Sequence, residues 1–172
     1  MNKANTIRRI TKNAIMLAML CIIGMFSIPL GDNIKVSLQL LMVFIIGLTV
    51  DAFYDGFIIT GLYLLLGLVA PIYAGFHVGI TPTFGFVISF VVIAPLLYFL
   101  NKSPIKNQFV RMSIACVIAL VVCYAIGSLF LALYLNLNIQ KALLIAVVPY
   151  VPFDIAKIVI AVLVVSLLPK RR

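Results

Sequence analysis

Asp154 and Lys157 stand three residues apart inside an otherwise apolar stretch, AVVPYVPFDIAKIVIAVLVVSLL at 146–168. Positions i and i+3 of a helix share one face, so a carboxylate and an ammonium would lie side by side. Either charge at mid-membrane costs about 2.5–3.5 kcal/mol on insertion scales. Two roles are open. The pair can hold helices together, or it can serve a small polar ligand, Asp154 accepting from an N–H and Lys157 meeting a carboxylate or carbonyl. Intramembrane ionisable groups are functional candidates by default, so the second role is preferred.

Other polar and aromatic residues are candidates for the same pocket. Pro149 and Pro152 flank Tyr150 just before the pair. Proline removes an amide donor and disturbs the preceding turn, so VVPYVPFD predicts an irregular entry and a fresh helix near Asp154, capped by it. Non-helical backbone at membrane depth is tolerated where it is buried or lines a cavity. The connection APIYAGFHVGITPTFGF, residues 70–86, mixes Gly75, Gly79 and Gly85 with Tyr73, Phe76, His77 and Thr83. Glycine allows tight turns and the rings supply flat walls, which suits a lid over a small ligand as well as it suits an interfacial aromatic belt. His77 is the only histidine and has no acidic neighbour in sequence, which argues against a metal site or a catalytic base. Gln39, inside an apolar run, needs a hydrogen-bond partner if buried.

The elements that must carry these residues are apolar. The 172-residue chain is 65% hydrophobic and 10% charged, with a mean hydropathy of +1.28. Soluble domains have about 25% charged residues, so the composition predicts an integral membrane protein forming one domain over 1–172. A span needs about 20 apolar residues, and six segments fit: roughly 13–30, 36–52, 55–74, 83–100, 110–135 and 142–168. The basic start and apolar core of the first segment are read as an uncleaved helix, because no small-x-small cleavage site follows.

Charge sets the orientation. Lys3, Arg8, Arg9, Lys12, Lys102, Lys106, Arg111, Lys170, Arg171 and Arg172 fall inside if both termini are cytoplasmic, against Lys35 and Lys141 outside. These cations sit at the ends of apolar runs, facing the lipid bilayer rather than nucleic acid. The expected architecture is all-α, with six transmembrane helices in a multi-pass cell-membrane protein. Asp51 and Asp55 are expected in an exposed inner turn without chemistry. Ala14 and Ala18 form a small-xxx-small spacing that lets another helix approach closely. Cys21, Cys116 and Cys123 lie in apolar runs and read as small buried hydrophobes.

There is no Walker motif, HExxH or GxSxG, and there are four acids in all, each an Asp. That excludes an ATPase, phosphotransferase or intramembrane protease of known type and predicts no enzyme activity and no cofactor or metal. A binding protein that borrows a motor is the economical reading, with a membrane structural or assembly subunit as the alternative.

SLQLLMVFIIGLTVDAFYDGFIITGLYLLLGLVAPIYAG (37–75), TPTFGF (81–86) and VPYVPFDIAK (148–157) resemble, in order and spacing, the BioY family, the biotin-specific S components of energy-coupling-factor (ECF) transporters. Leu62 through Gly67, Pro71, Ala74 and Gly75 fit the family's helix-3 run, and the last segment its Pro-Phe-x-Pro-Gly-Asp-x-x-Lys motif. The resemblance implies an S-component-like bundle from a prokaryote in which Asp154 and Lys157 contact biotin, with Tyr73, Gly75, Phe76, His77, Thr83 and Tyr150 near the pocket. It also implies that Ala14 and Ala18 dock onto a transmembrane coupling subunit, which in turn binds two cytoplasmic ATPases. Phe153 replaces the glycine before the Asp, Ile80 or Thr81 and Phe84 replace glycines of a Gly-Pro-Thr-Gly-Gly-Tyr segment, and the loop from Pro71 to Pro82 is shorter. These departures fall on the pocket and lid, leaving biotin or a related acid such as lipoate, or another small vitamin, as substrate.

Overall fold

The computed structural model of the protein describes residues 3–29 and 35–168. Among them run α1 (Lys3–Met25), β1 (Ser27–Pro29), β2 (Lys35–Ser37), α2 (Gln39–Thr49), α3 (Phe53–Gly67), α4 (Phe84–Leu100), α5 (Gln108–Tyr134), α6 (Ile139–Ala146) and α7 (Val151–Leu167). Asp32, Lys170, Arg171 and Arg172 lie outside the described residues.

The fourth and fifth expected segments match α4 and α5, and the others need correction. α1 begins at Lys3 rather than 13, because the polar segment around Arg9 and Lys12 is bonded to the α2–α3 turn. It stops at Met25 rather than 30. An antiparallel hairpin follows, pairing Ser27 with Ser37 and Ile28 with Val36, where helix had been expected. The signal was available: Pro29 cannot donate to a continuing helix, and Gly31-Asp32-Asn33 between short apolar runs is turn chemistry. α2 therefore has 11 residues, about 16 Å at 1.5 Å per residue, well short of a hydrocarbon core of about 30 Å. α3 ends at Gly67 rather than 74, ahead of Pro71, which disfavours helix in the residue before it. The sixth segment is two helices bent by 56° at their break.

α4 packs between α3 and α5 and also touches α2, while α2 packs on α7 and α6 covers the end of α5. Phe44 and Ile46 of α2, Ile59 and Tyr63 of α3, Ile93 and Leu97 of α4, and Met112 and Cys116 of α5 fill the interior, nearly all of them inaccessible. The outward faces stay aliphatic: Ile58, Leu62 and Leu65 on α3, Val117 and Val121 on α5, Ile155, Val159 and Leu163 on α7. α5, 27 residues with a mean hydropathy of 2.7 over its best window, is long and apolar enough to cross a membrane by itself, and α6 with α7 would pass as one bent span.

One end of the bundle collects cations. Arg9 donates to Asp55 at 2.7–3.0 Å, and Lys12 Nζ donates to the Thr49 carbonyl at 2.6 Å and to Asp51 at 3.2 Å. Asn101, at the end of α4, donates to the Leu48 carbonyl at 3.1 Å and accepts from Arg111 at 3.3 Å. The α1 start, the α2–α3 turn and the α4–α5 link, with Lys102 and Lys106, therefore meet at this end. Asp55 departs from expectation here. It is not an exposed turn residue but 2% exposed, accepting also from Asn13 Nδ2 at 2.7 Å and the Ala52 amide at 3.0 Å. Asp51 is exposed, as expected.

Candidate substrate-binding site

At the opposite end lies a cavity of about 430 Å³, within the range of about 300–1,000 Å³ usual for small-molecule sites. Six parts of the chain wall it, α4 among them through Phe86, Val87 and Phe90. The hairpin gives Ser27 and Ser37, and the start of α2 gives Gln39. The α3–α4 connection gives Tyr73, His77 and Thr83, the second half of α5 gives Cys123 and Tyr124, and the α6–α7 break gives Tyr150, Asp154 and Lys157.

Asp154 and Lys157 occupy the first two turns of α7, 4% and 7% exposed. Lys157 Nζ donates to Asp154 Oδ1 at 2.6 Å, and the Tyr124 hydroxyl donates to Asp154 Oδ2. The expected cap is replaced by another arrangement. α7 starts at Val151 with Tyr150 as N-cap and Pro152 in the first turn, where its missing amide is an orphan anyway. Asp154 bonds backward through its amide to the Tyr150 carbonyl at 2.9 Å, which frees its side chain for the cavity. A carboxylate in the first turn is also favoured by the helix dipole.

Gln39 forms a second polar node. It is 6% exposed, its side-chain amide donates to the Tyr63 hydroxyl, and Tyr63 passes the chain on to the Ile72 carbonyl at 3.0 Å. Ser37 Oγ donates to Gln39 Oε1 at 3.2 Å and accepts from the Gln39 amide at 3.1 Å. The network joins the hairpin, α2, α3 and the α3–α4 connection behind the cavity wall.

Tyr73 is wall rather than lid. Its ring lies against Gly67, where a Cβ would come within 2.0 Å of it, and its hydroxyl donates to the Leu64 carbonyl at 2.6 Å. Thr83 sits at the N-terminus of α4, its hydroxyl 3.1 Å from that of Thr81. His77, on the rim, accepts through its carbonyl from the Tyr73 amide at 3.3 Å. Gly75 and Phe76 do not line the cavity: the Gly75 amide ties the connection to the Met25 carbonyl at 3.0 Å, and Phe76 is 62% exposed. Ala14 and Ala18 are exposed on α1, away from the cavity.

Sequence reasoning missed Tyr124, Tyr63, Ser27 and Ser37. The two tyrosines carried a usable signal, because a hydroxyl inside an apolar run needs a partner when buried, the same reasoning that singled out Gln39.

The BioY family model matches residues 1–172. This chain belongs to the BioY family. It is 31% identical over 168 residues to the biotin transporter BioY of Thermotoga maritima, covering 95% of this chain and 96% of that one. It is 29% identical over 156 residues to the probable biotin transporter BioY of Pyrococcus horikoshii, covering 88% and 90%. A solved S-component for biotin from an ECF-type ABC transporter superposes with a TM-score of 0.87 at 23% identity, covering 100% of this chain and 96% of the other. At that identity the likeness speaks to the fold. Membership of a transporter family makes the chain a membrane protein. Phe153 stands where the resemblance implies a glycine. It is half-buried and not among the cavity-lining residues, so the departure from glycine does not fill the site.

Proposed function

We propose that this chain is the biotin-binding S component of an ECF-type transporter, a substrate-binding subunit with no enzymatic activity. The observation that carries the reading is the buried Asp154–Lys157 pair facing a cavity of ligand size in a family of biotin transporters. Biotin suits such a site: its ureido N–H groups match a carboxylate acceptor, and its rings and thioether match walls made by Tyr73, Phe86 and Val87. The protein forms one six-span domain in the cell membrane with both termini cytoplasmic, α2 completing its crossing with the hairpin and α6 with α7 forming the last span. Arg9, Lys12, Lys102, Lys106 and Arg111 then face the cytoplasm, and the cavity opens outward. Transport depends on a transmembrane coupling subunit, docked on the α1 face that carries Ala14 and Ala18, and on two cytoplasmic ATPases.

Isothermal titration of the purified protein with biotin, with lipoate as comparator, tests the substrate. Saturable biotin binding with no binding of lipoate is expected. Lipoate binding without biotin would keep the transport class and overturn the substrate. Binding of neither would return Asp154 and Lys157 to a structural role.

A further inference from the structure

Tyr124 is placed where no motif marked it. It lies on α5, more than three turns from that helix's one charged residue, Arg111, yet its hydroxyl meets Asp154 Oδ2 while Lys157 holds Oδ1. A carboxylate has about four lone-pair sites, two on each oxygen. One site on each oxygen is thus taken, by groups from two different helices. The remaining pair of acceptor sites, one on each oxygen, is left to a ligand, and all three side chains line the cavity.

We propose that Tyr124 is a positioning and specificity-determining residue: it fixes the Asp154 carboxylate so that both oxygens offer an acceptor to a ligand carrying two N–H donors in one planar group. Without Tyr124, Asp154 is held at one oxygen by Lys157 alone and can turn about its last bond, since terminal carboxyl torsions are broad. Lys157 supplies charge on the same helix, three residues on, and so cannot fix the carboxylate plane by itself. Tyr124 supplies the second anchor from outside α7. The site then prefers a cyclic urea, whose two donors satisfy both oxygens, over an acid of similar size that lacks N–H groups. A ligand that fails to donate leaves buried acceptors unpaired, and this kind of mismatch discriminates strongly between substrates. The inference rests on the biotin reading and deepens it.

The test uses the full chain in detergent and three ligands: biotin, biotin methylated at one ureido nitrogen, and lipoate. Wild-type protein should bind biotin at least tenfold more tightly than the methylated analogue. Tyr124→Phe, which keeps the ring and removes only the hydroxyl, should weaken biotin about tenfold or more and narrow the gap to the methylated analogue to about threefold or less. Tyr124→Phe together with Asp154→Asn should bind no worse than Asp154→Asn alone. Equal weakening of biotin and its methylated analogue by Tyr124→Phe would make Tyr124 mere wall and overturn the inference, as would unchanged biotin affinity in Tyr124→Phe. Failure of wild-type protein to bind biotin would instead strike the functional reading itself.

Discussion

Arg9 of α1 crosses to α3 and holds Asp55 by three hydrogen bonds, through Nε to both carboxylate oxygens and through Nη2 to Oδ1. The fork geometry is the strong form of a carboxylate–guanidinium pair. Nη1 reaches the Tyr54 hydroxyl, and the guanidinium carbon stands 4.2 Å over the Tyr54 ring. The two side chains are unequally buried, 19% accessible for Arg9 and 3% for Asp55. That asymmetry makes an ordering prediction.

Arg9→Ala should destabilise the protein more than Asp55→Ala. Removing Arg9 strands a buried carboxylate with only Asn13 and a backbone amide as donors, and breaking a buried pair costs about 3–5 kcal/mol. Removing Asp55 leaves an arginine that can turn to water or lipid headgroups, so its cost falls below that range. Thermal unfolding in detergent reads the order. Equal midpoints for the two variants would mean that the pair is held less tightly than its geometry indicates.

Lys157→Met should unfold the protein at markedly lower temperature, while Lys157→Met with Asp154→Asn should recover much of the loss and still bind no biotin. The single change leaves the buried Asp154 charge with the neutral Tyr124 hydroxyl as its remaining side-chain donor among the described residues, whereas the double change leaves no charge to compensate. Midpoint and titration are measured on the same samples. Biotin binding by the double variant would remove the pair from the site.

How much of this was legible in the sequence depends on whether a residue's neighbours are local. Asp154 and Lys157 sit on one helix, so spacing alone placed them together. Gln39 announced itself as a polar group in an apolar run, and its burial and network follow that rule. Asp55 misled because a charged residue in a short turn reads as solvated; its partners, Arg9 and Asn13, are more than forty positions away, and no local pattern brings them in. Tyr124 is the same case, thirty positions from Asp154. The hairpin was missed for another reason. Apolar runs on both sides are long enough to read as spans, which hides the break that Pro29 imposes on a continuing helix.

Gly127→Ala should weaken biotin binding. A Cβ at 127 would stand 2.3 Å from the Phe86 ring, and Phe86 lines the cavity. The ring has to shift, and overpacking of this kind costs about 1–3 kcal/mol. Gly127→Ala combined with Phe86→Leu makes room for the new methyl group and should restore the thermal midpoint. If the double variant were no more stable than Gly127→Ala, the strain would lie elsewhere than in the Phe86 contact.

Ala18→Phe should separate binding from transport. Ala14 and Ala18 are exposed on α1, one helical turn apart, and small residues at that spacing let a second helix come close. Position 18 is exposed and does not line the cavity, so titration with biotin should be unchanged. In cells or vesicles that supply the proposed coupling subunit and its two ATPases, the ring would hold the partner helix off, and ATP-driven biotin uptake should fall at least tenfold. The contrast matters because α1 is also tied to the site: the Met25 carbonyl accepts from the Gly75 amide, and the hairpin that follows α1 lines the cavity through Ser27 and Ser37. Loss of biotin affinity in Ala18→Phe would show that this face is coupled to the cavity through the length of α1. Unchanged uptake would move the docking surface to another helix.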